Sequence, residues 1–162
     1  MPTVITGTDG VSQVQTGAVE SGDLPAGSVI QVVQTYIADT GSIETTSQSE
    51  VGSGVTVSIT PTSTDNYIII QMDNPMVDVK DGSGIRGRMF VNNSPMSGIN
   101  IYHAGYQDQE SKYASWAFSG KYTPTDLSTL TFEPFFVSEN GGTVRFSYPG
   151  SSISLIAMEI AG

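Results

Sequence analysis

Val55-Thr56-Val57-Ser58-Ile59-Thr60-Pro61-Thr62-Ser63-Thr64-Asp65-Asn66-Tyr67-Ile68-Ile69-Ile70-Gln71-Met72 is the stretch that decides the fold. Val55, Val57 and Ile59 alternate with Thr56, Ser58 and Thr60, the two-residue period of a strand with one buried and one wet face. Pro61 to Asp65 is turn chemistry, and Tyr67 to Met72 is a second strand. Outward from here the same grammar repeats: short β-prone runs separated by Gly, Pro, Asn, Asp and Ser clusters. Strands are expected near 28–38, 43–49, 55–60, 66–73, 85–92, 97–104, 112–122, 129–138, 143–148 and 153–160. That spacing belongs to an antiparallel β-sandwich or a barrel, and no segment has room for more than a turn of helix. Eighteen glycines and 38% hydrophobic residues point to the same all-β class.

Two segments break the alternation. In Ile68-Ile69-Ile70 and in Ile153 to Ile160, apolar side chains fall on both faces of the pleat. One face of a sandwich strand packs on the opposite sheet; an apolar second face needs a separate cover. Burying one Ile or Leu is worth roughly 1.5–3 kcal/mol, so several such positions favour association. Ile69, Ile156, Met158 and Ile160 are therefore expected at a subunit interface. The competing reading has an N-terminal arm or long loops cover the face within one chain.

The formal charge is −10, with only six Lys and Arg, which speaks against nucleic acid and anionic membranes as partners. Residues 1–79 hold nine acids and no base, whereas 80–162 hold seven acids and all six bases. The first half is thus expected either to meet a cation-rich partner or simply to keep the protein soluble. With no cysteine, folding in a reducing cytoplasm is expected. The N-terminus has no signal-peptide pattern, and no run approaches the ~18 apolar residues of a membrane span. Residues 1–27 are polar, with isolated Val4, Ile5, Val11, Val14, Val19 and Leu24 and no clean periodicity. They read as an extended docking arm, and 28–162 as one domain.

Candidates for chemistry are sparse. Gly82-Ser83-Gly84-Ile85-Arg86-Gly87 matches a dinucleotide fingerprint, but Arg88 to Val91 continues as strand where that motif requires a helix. Asp73, Asn74, Asp78, Asp81 and Asp108 could supply oxygen ligands to calcium, without the spacing of a calcium loop, and read first as solvated loop acids. His103 is the only histidine and shares strand parity with Ile99 and Ile101, so it reads as a core or interface side chain. A hydrolytic triad or a catalytic zinc site has too few residues to build from. Glu133 and Glu159 sit among apolar residues and are the carboxylates to inspect for a catalytic pair. Trp116 and Phe118 share parity with Ala114, as in a core strand. The loop Tyr106, Gln107, Asp108, Gln109 is the candidate host-contact site, an exposed aromatic being able to stack on a sugar. Asn92-Asn93-Ser94 fits a glycosylation string, which a cytoplasmic protein does not use. No cofactor is expected.

Three ordered blocks, Leu24 to Thr35, Val55 to Thr64 and Ser151 to Gly162, together with a strand carrying Arg86 and Arg88 before a surface loop, resemble a structural domain of marine tailed phages. The resemblance spans about residues 24–162. It implies a jelly-roll-like, trimeric virion module with no catalytic residues, found at the ends of long tail fibres or as a small stand-alone protein. Only about two dozen residues precede the domain here, so the expectation is a capsid decoration or short head-fibre protein. It would sit directly on a capsid or tail platform at the virion surface. The rival expectation is a tail-fibre tip that grips host surface glycan.

Overall fold

The computed structural model describes residues 24–39, 41–79, 82–103 and 112–162. Val4, Ile5, Val11, Val14 and Val19 of the expected arm and the loop Tyr106 to Gln109 lie outside them. Among the described residues eleven strands follow one another: β1 Val29–Ala38, β2 Ile43–Thr45, β3 Val51–Gly52, β4 Val57–Ile59, β5 Tyr67–Val79, β6 Ile85–Val91, β7 Ser94–His103, β8 Lys112–Tyr122, β9 Leu130–Ser138, β10 Val144–Ser147 and β11 Ser152–Ile160. Among the described residues there is no helix.

Every pairing is antiparallel. One sheet runs β1-β11-β5-β8, with β10 and then β2 taking over from β11 along the far half of β5. The other has β3 and β4 sharing one side of β9, followed by β6 and β7. If β2 to β4 are counted as one interrupted excursion and β10 with β11 as another, the first, last, third and sixth strands face the second, seventh, fourth and fifth. That order is the jelly roll, two Greek keys folded on each other.

The alternation at Val55 to Thr60 holds. Val55, Val57 and Ile59 are buried, while outside, Ser58 and Thr60 bond the hydroxyls of Thr131 and Thr129, each at 2.8 Å. Between the sheets lie Ile68, Ile70, Ile153, Leu155, Met89 and Phe132. Phe136 stacks on Phe146 at 5.3 Å, and Trp116 meets Phe146 edge-on at 6.1 Å.

Three expectations need correction. The strand expected at 66–73 continues to Val79, through Pro75. Proline has no N–H to give a ladder, so it survives in a strand only at an edge or a bulge. The β5–β8 register indeed slips between Asn74 and Val77. There the buried Asn74 amide donates to the Phe146 carbonyl, bridging the gap where β11 leaves β5 and β10 arrives. Second, Asn92 and Asn93 form a two-residue turn between β6 and β7, both at positive φ (47° and 62°), so β7 starts three residues earlier than expected. Asparagine tolerates that left-handed geometry, which matches the twist of a hairpin. Third, 43–49 is mostly not strand, and the short β3 was not foreseen.

Gly82 turns the chain at φ 67°, and the fingerprint-like string runs straight into β6, with Gly87 mid-strand. Gly87 has a packing reason. A Cβ there would lie 2.8 Å from Trp116 Cζ3 and 3.0 Å from the Phe135 carbonyl oxygen. The indole from one sheet rests directly on the backbone of the other. Gly87→Ala is expected to cost about 1–3 kcal/mol, since overpacking forces a buried side chain or backbone to shift; urea denaturation measures it, and an unchanged midpoint would show that Trp116 yields freely.

Candidate functional site

The outer face of the β1-β11-β5-β8 sheet is built from rows fixed by register. Val32 of β1 lies opposite Met158 of β11, which lies opposite Ile69 of β5, which lies opposite Lys121 of β8. The next row is Gln34, Ile156, Gln71, Ser119, and the next Tyr36, Ser154, Asp73, Ala117. Of the residues expected at an interface, Ile69, Ile156 and Met158 thus come together on one surface, each half-buried by its neighbours. Ile160 differs, since it is buried within the chain and does not contribute to this surface.

Val32 and Tyr36 were not foreseen here, and they are the most open apolar side chains of the face, at 56% and 61% exposure. The signal was present: Val32-Val33 and Tyr36-Ile37 are apolar on both parities, as the Ile68 to Ile70 run is. Complete burial of such a side chain stabilises by roughly 1.5–3 kcal/mol, and these two have realised less than half of that within the chain. A hollow of about 370 Å³ interrupts the face, floored by Met72 and Phe118 and walled by Ile156 and Asp73. Small Ala117 and Ser154 leave the room for it.

The oxygen-rich candidates do not converge. Asp73 is exposed on the outer face, Asn74 is committed to Phe146, and Asp81 and Asp108 lie outside the described residues. Asp78 corrects the expectation of a solvated loop acid. It is a fully buried strand residue in a three-strand row, with Arg145 Nη1 donating to it at 3.0 Å and Arg145 Nε donating to Glu44 at 2.7 Å. Arg88 pairs with Glu50 at 2.5 Å. Three acids of the acid-rich first half are therefore met by bases of the chain's own second half. Among the described residues no cluster of three or more potential metal ligands forms. His103 ends β7 opposite Ile85.

Glu133 and Glu159 do not form a pair. Glu133 stands on the outer face of β9 and accepts from the Gly54 N–H at 2.8 Å. Glu159 belongs to the other sheet, points inward and has no exposed surface. Its Oε1 accepts from the Thr62 N–H (2.7 Å), the Thr62 hydroxyl (2.9 Å) and the Asn66 amide (2.8 Å), and its Oε2 from the Gln31 amide (2.6 Å). Burial by itself would push this carboxyl's pKa up; the bonds from Asn66, Gln31 and Thr62 outweigh it and hold the pKa below the ordinary value. Gln31 reaches the site because the β1 register slips between Val29 and Gln31. The arrangement ties β1, the β4–β5 turn and β11 together around a carboxylate with no exposed surface.

Neither a protein-family model nor a curated protein sequence matches the chain. Among solved structures, the crystal structure of the infectious bursal disease virus VP2 subviral particle aligns with 100% of the chain at 11% identity and a TM-score of 0.48. The chain spans 37% of that protein's length. A likeness this distant carries no inference about function.

Because the folded pKa of Glu159 lies below its unfolded value, its contribution to stability is fully present above the ordinary carboxylate range and is lost as pH falls through the depressed value. Glu159→Gln puts an N–H₂ where a donor must be received, and is expected to cost on the order of 2 kcal/mol at neutral pH. It should also flatten the decline in stability below about pH 4.5. Denaturation midpoints of both proteins from pH 7 to pH 3 test this; parallel curves would exclude Glu159 as the source.

Proposed function

We propose that this chain is a non-enzymatic virion structural protein that assembles as a homotrimer through the outer face of its β1-β11-β5-β8 sheet. In this reading it decorates a capsid or forms a short head fibre, and residues 1–27 dock it to the underlying platform of other virion proteins. The observation that carries the reading is the registered apolar row Val32, Met158, Ile69, with Val32 and Tyr36 more than half exposed among the described residues. A sheet face of that composition is the kind of surface that closed oligomers bury. The jelly-roll topology supports the reading, being an architecture that viral capsid domains use, although lectins and cupins use it as well. The resemblance of the three sequence blocks to phage structural domains supplies the number three and the virion setting. The row supplies only the surface.

Extended arms gain affinity by ordering on contact, and three copies on one trimer raise a weak contact through effective concentration. The absence of cysteine and the presence of one histidine in the whole chain leave few side chains for nucleophilic or metal-assisted hydrolysis.

Val32→Lys and Met158→Lys are each expected to convert a trimer to a monomer in sedimentation at micromolar concentration, with an unchanged strand signature in circular dichroism. A wild-type protein that already sediments as a monomer would overturn the assembly. Deleting residues 1–24 should leave the trimer intact and abolish its rebinding to stripped particles. Full rebinding would refute arm docking, and competition with phage for adsorption to cells would favour the receptor-binding alternative.

A further inference from the structure

The turn between β9 and β10 carries Glu139-Asn140-Gly141-Gly142, and Asn140-Gly141 is the one place in the sequence where glycine follows asparagine. Asn140 and Gly141 are both exposed, and Gly141 adopts φ 79°. The Asn140 amide nitrogen donates to the Gly82 carbonyl at 3.2 Å, which leaves its side-chain carbonyl carbon open to approach. Among the described residues no acceptor holds the Gly141 N–H. A Cβ at Gly141 would meet only the Thr46 carbonyl oxygen, at 4.0 Å, so the space around this nitrogen is empty as well.

The fold restrains the other five asparagines. Asn74 is buried and precedes Pro75, which has no N–H to offer. Asn66 is buried, its amide donating to Glu159 at 2.8 Å. Asn92 accepts from the Thr131 N–H at 2.9 Å. Asn100 sits within β7 opposite Arg88 and precedes the β-branched Ile101. Asn93 is the informative contrast, because it is exposed like Asn140. Ser94, which follows it, closes the two-residue turn opposite Val91, and that hairpin geometry engages the Ser94 N–H in the ladder.

We infer that Asn140 is a site of spontaneous deamidation in the folded protein. The Gly141 nitrogen attacks Asn140 Cγ: the N–Cγ bond forms, the Cγ–Nδ2 bond breaks, and the Gly141 proton leaves with Nδ2 as ammonia. Water then opens the cyclic imide at either carbonyl, giving aspartate or the isomer whose main chain runs through the side-chain carbon. Water is the only co-reactant. The bond to Gly82 restrains the leaving nitrogen and slows the reaction by no more than about ten-fold, the limit of one such hydrogen bond. The product places a carboxylate where a donor faced the Gly82 carbonyl. The same turn is tied there by the Glu139 N–H donating to the Gly84 carbonyl at 2.8 Å and by the Ser83 and Ser138 hydroxyls, 2.8 Å apart. The new charge therefore falls on the contact between the β9–β10 turn and the entry to β6. This inference stands independently of the virion reading.

Full-length protein is incubated at mildly alkaline pH in heavy-oxygen water, folded or in urea, then digested and mapped by mass spectrometry. In the folded protein the peptide with residue 140 is expected to take up heavy oxygen and to split into aspartate and isoaspartate forms. Its rate should lie within about ten-fold of the rate in urea. Folding should slow Asn93 more than Asn140, since the Ser94 N–H must first leave the ladder by local opening. An Asn140 that stays intact in the folded protein while converting in urea would overturn the inference, as would an Asn93 that converts as fast as Asn140 in the folded protein. In Asn140→Ser the label on this peptide should vanish; label that persists would place the chemistry at another residue.

Discussion

A pleated strand has two faces, and in the β1-β11-β5-β8 sheet the described residues fill only one of them. Inward, Ile68, Ile70, Leu155 and Ala157 meet the phenylalanines of the opposite sheet and are sealed. Outward, the same backbone carries Val32, Tyr36, Ile69, Ile156 and Met158, and the two-residue period permits no rotation that would hide both sets. The position of the apolar face, the depth of its hollow and the direction in which Lys121 points all follow from that parity. Parity is also why the face is not repaired by small shifts, since slipping one residue would carry the core to the surface.

Two polar side chains inside the sandwich stand where a ladder is interrupted. Asn74 stands at the bulge that Pro75 imposes, and its amide takes the place of a missing backbone donor. Glu159 stands beside the bulge that turns Gln31 inward, and four donors compensate for its loss of water. Asp78 differs: it has the parity of Arg145 and Tyr113, opposite to inward Val77 and Val79, and lies on the outer side of the sheet where short β10 and β2 extend it. At Asn74 and Glu159 an irregularity of the backbone comes with a side chain suited to it, which is how a polar group is tolerated in a dry interior.

The architecture was legible because antiparallel strands advertise themselves locally. Val55 to Thr60 and Lys112 to Tyr122 lie where their composition places them, and the inward side chains of the first are the expected ones. What failed was non-local. The extension of β5 through Pro75 depends on β8 and β10 being alongside, which no window around Pro75 reveals. The tightness of the Asn92-Asn93 turn is legible in two adjacent residues suited to positive φ. Of the expected interface residues, three share a surface; Ile160 keeps their parity but is buried at the end of β11, between Val29 of β1 and Tyr67 of β5. Val32 and Tyr36 face outward because Val33 and Ile37 take the inward parity of β1, a choice that apolar residues on both parities leave open in the sequence.

The side-by-side positions of Ser28 and Ala161 have a mechanical meaning. Any load that passes between the segments attached at those points pulls β1 and β11 apart from one end, opening their ladder one hydrogen bond at a time. Strands loaded from opposite ends would instead share the force across all their bonds at once. Tension applied at Ser28 and Ala161 therefore peels these two strands apart.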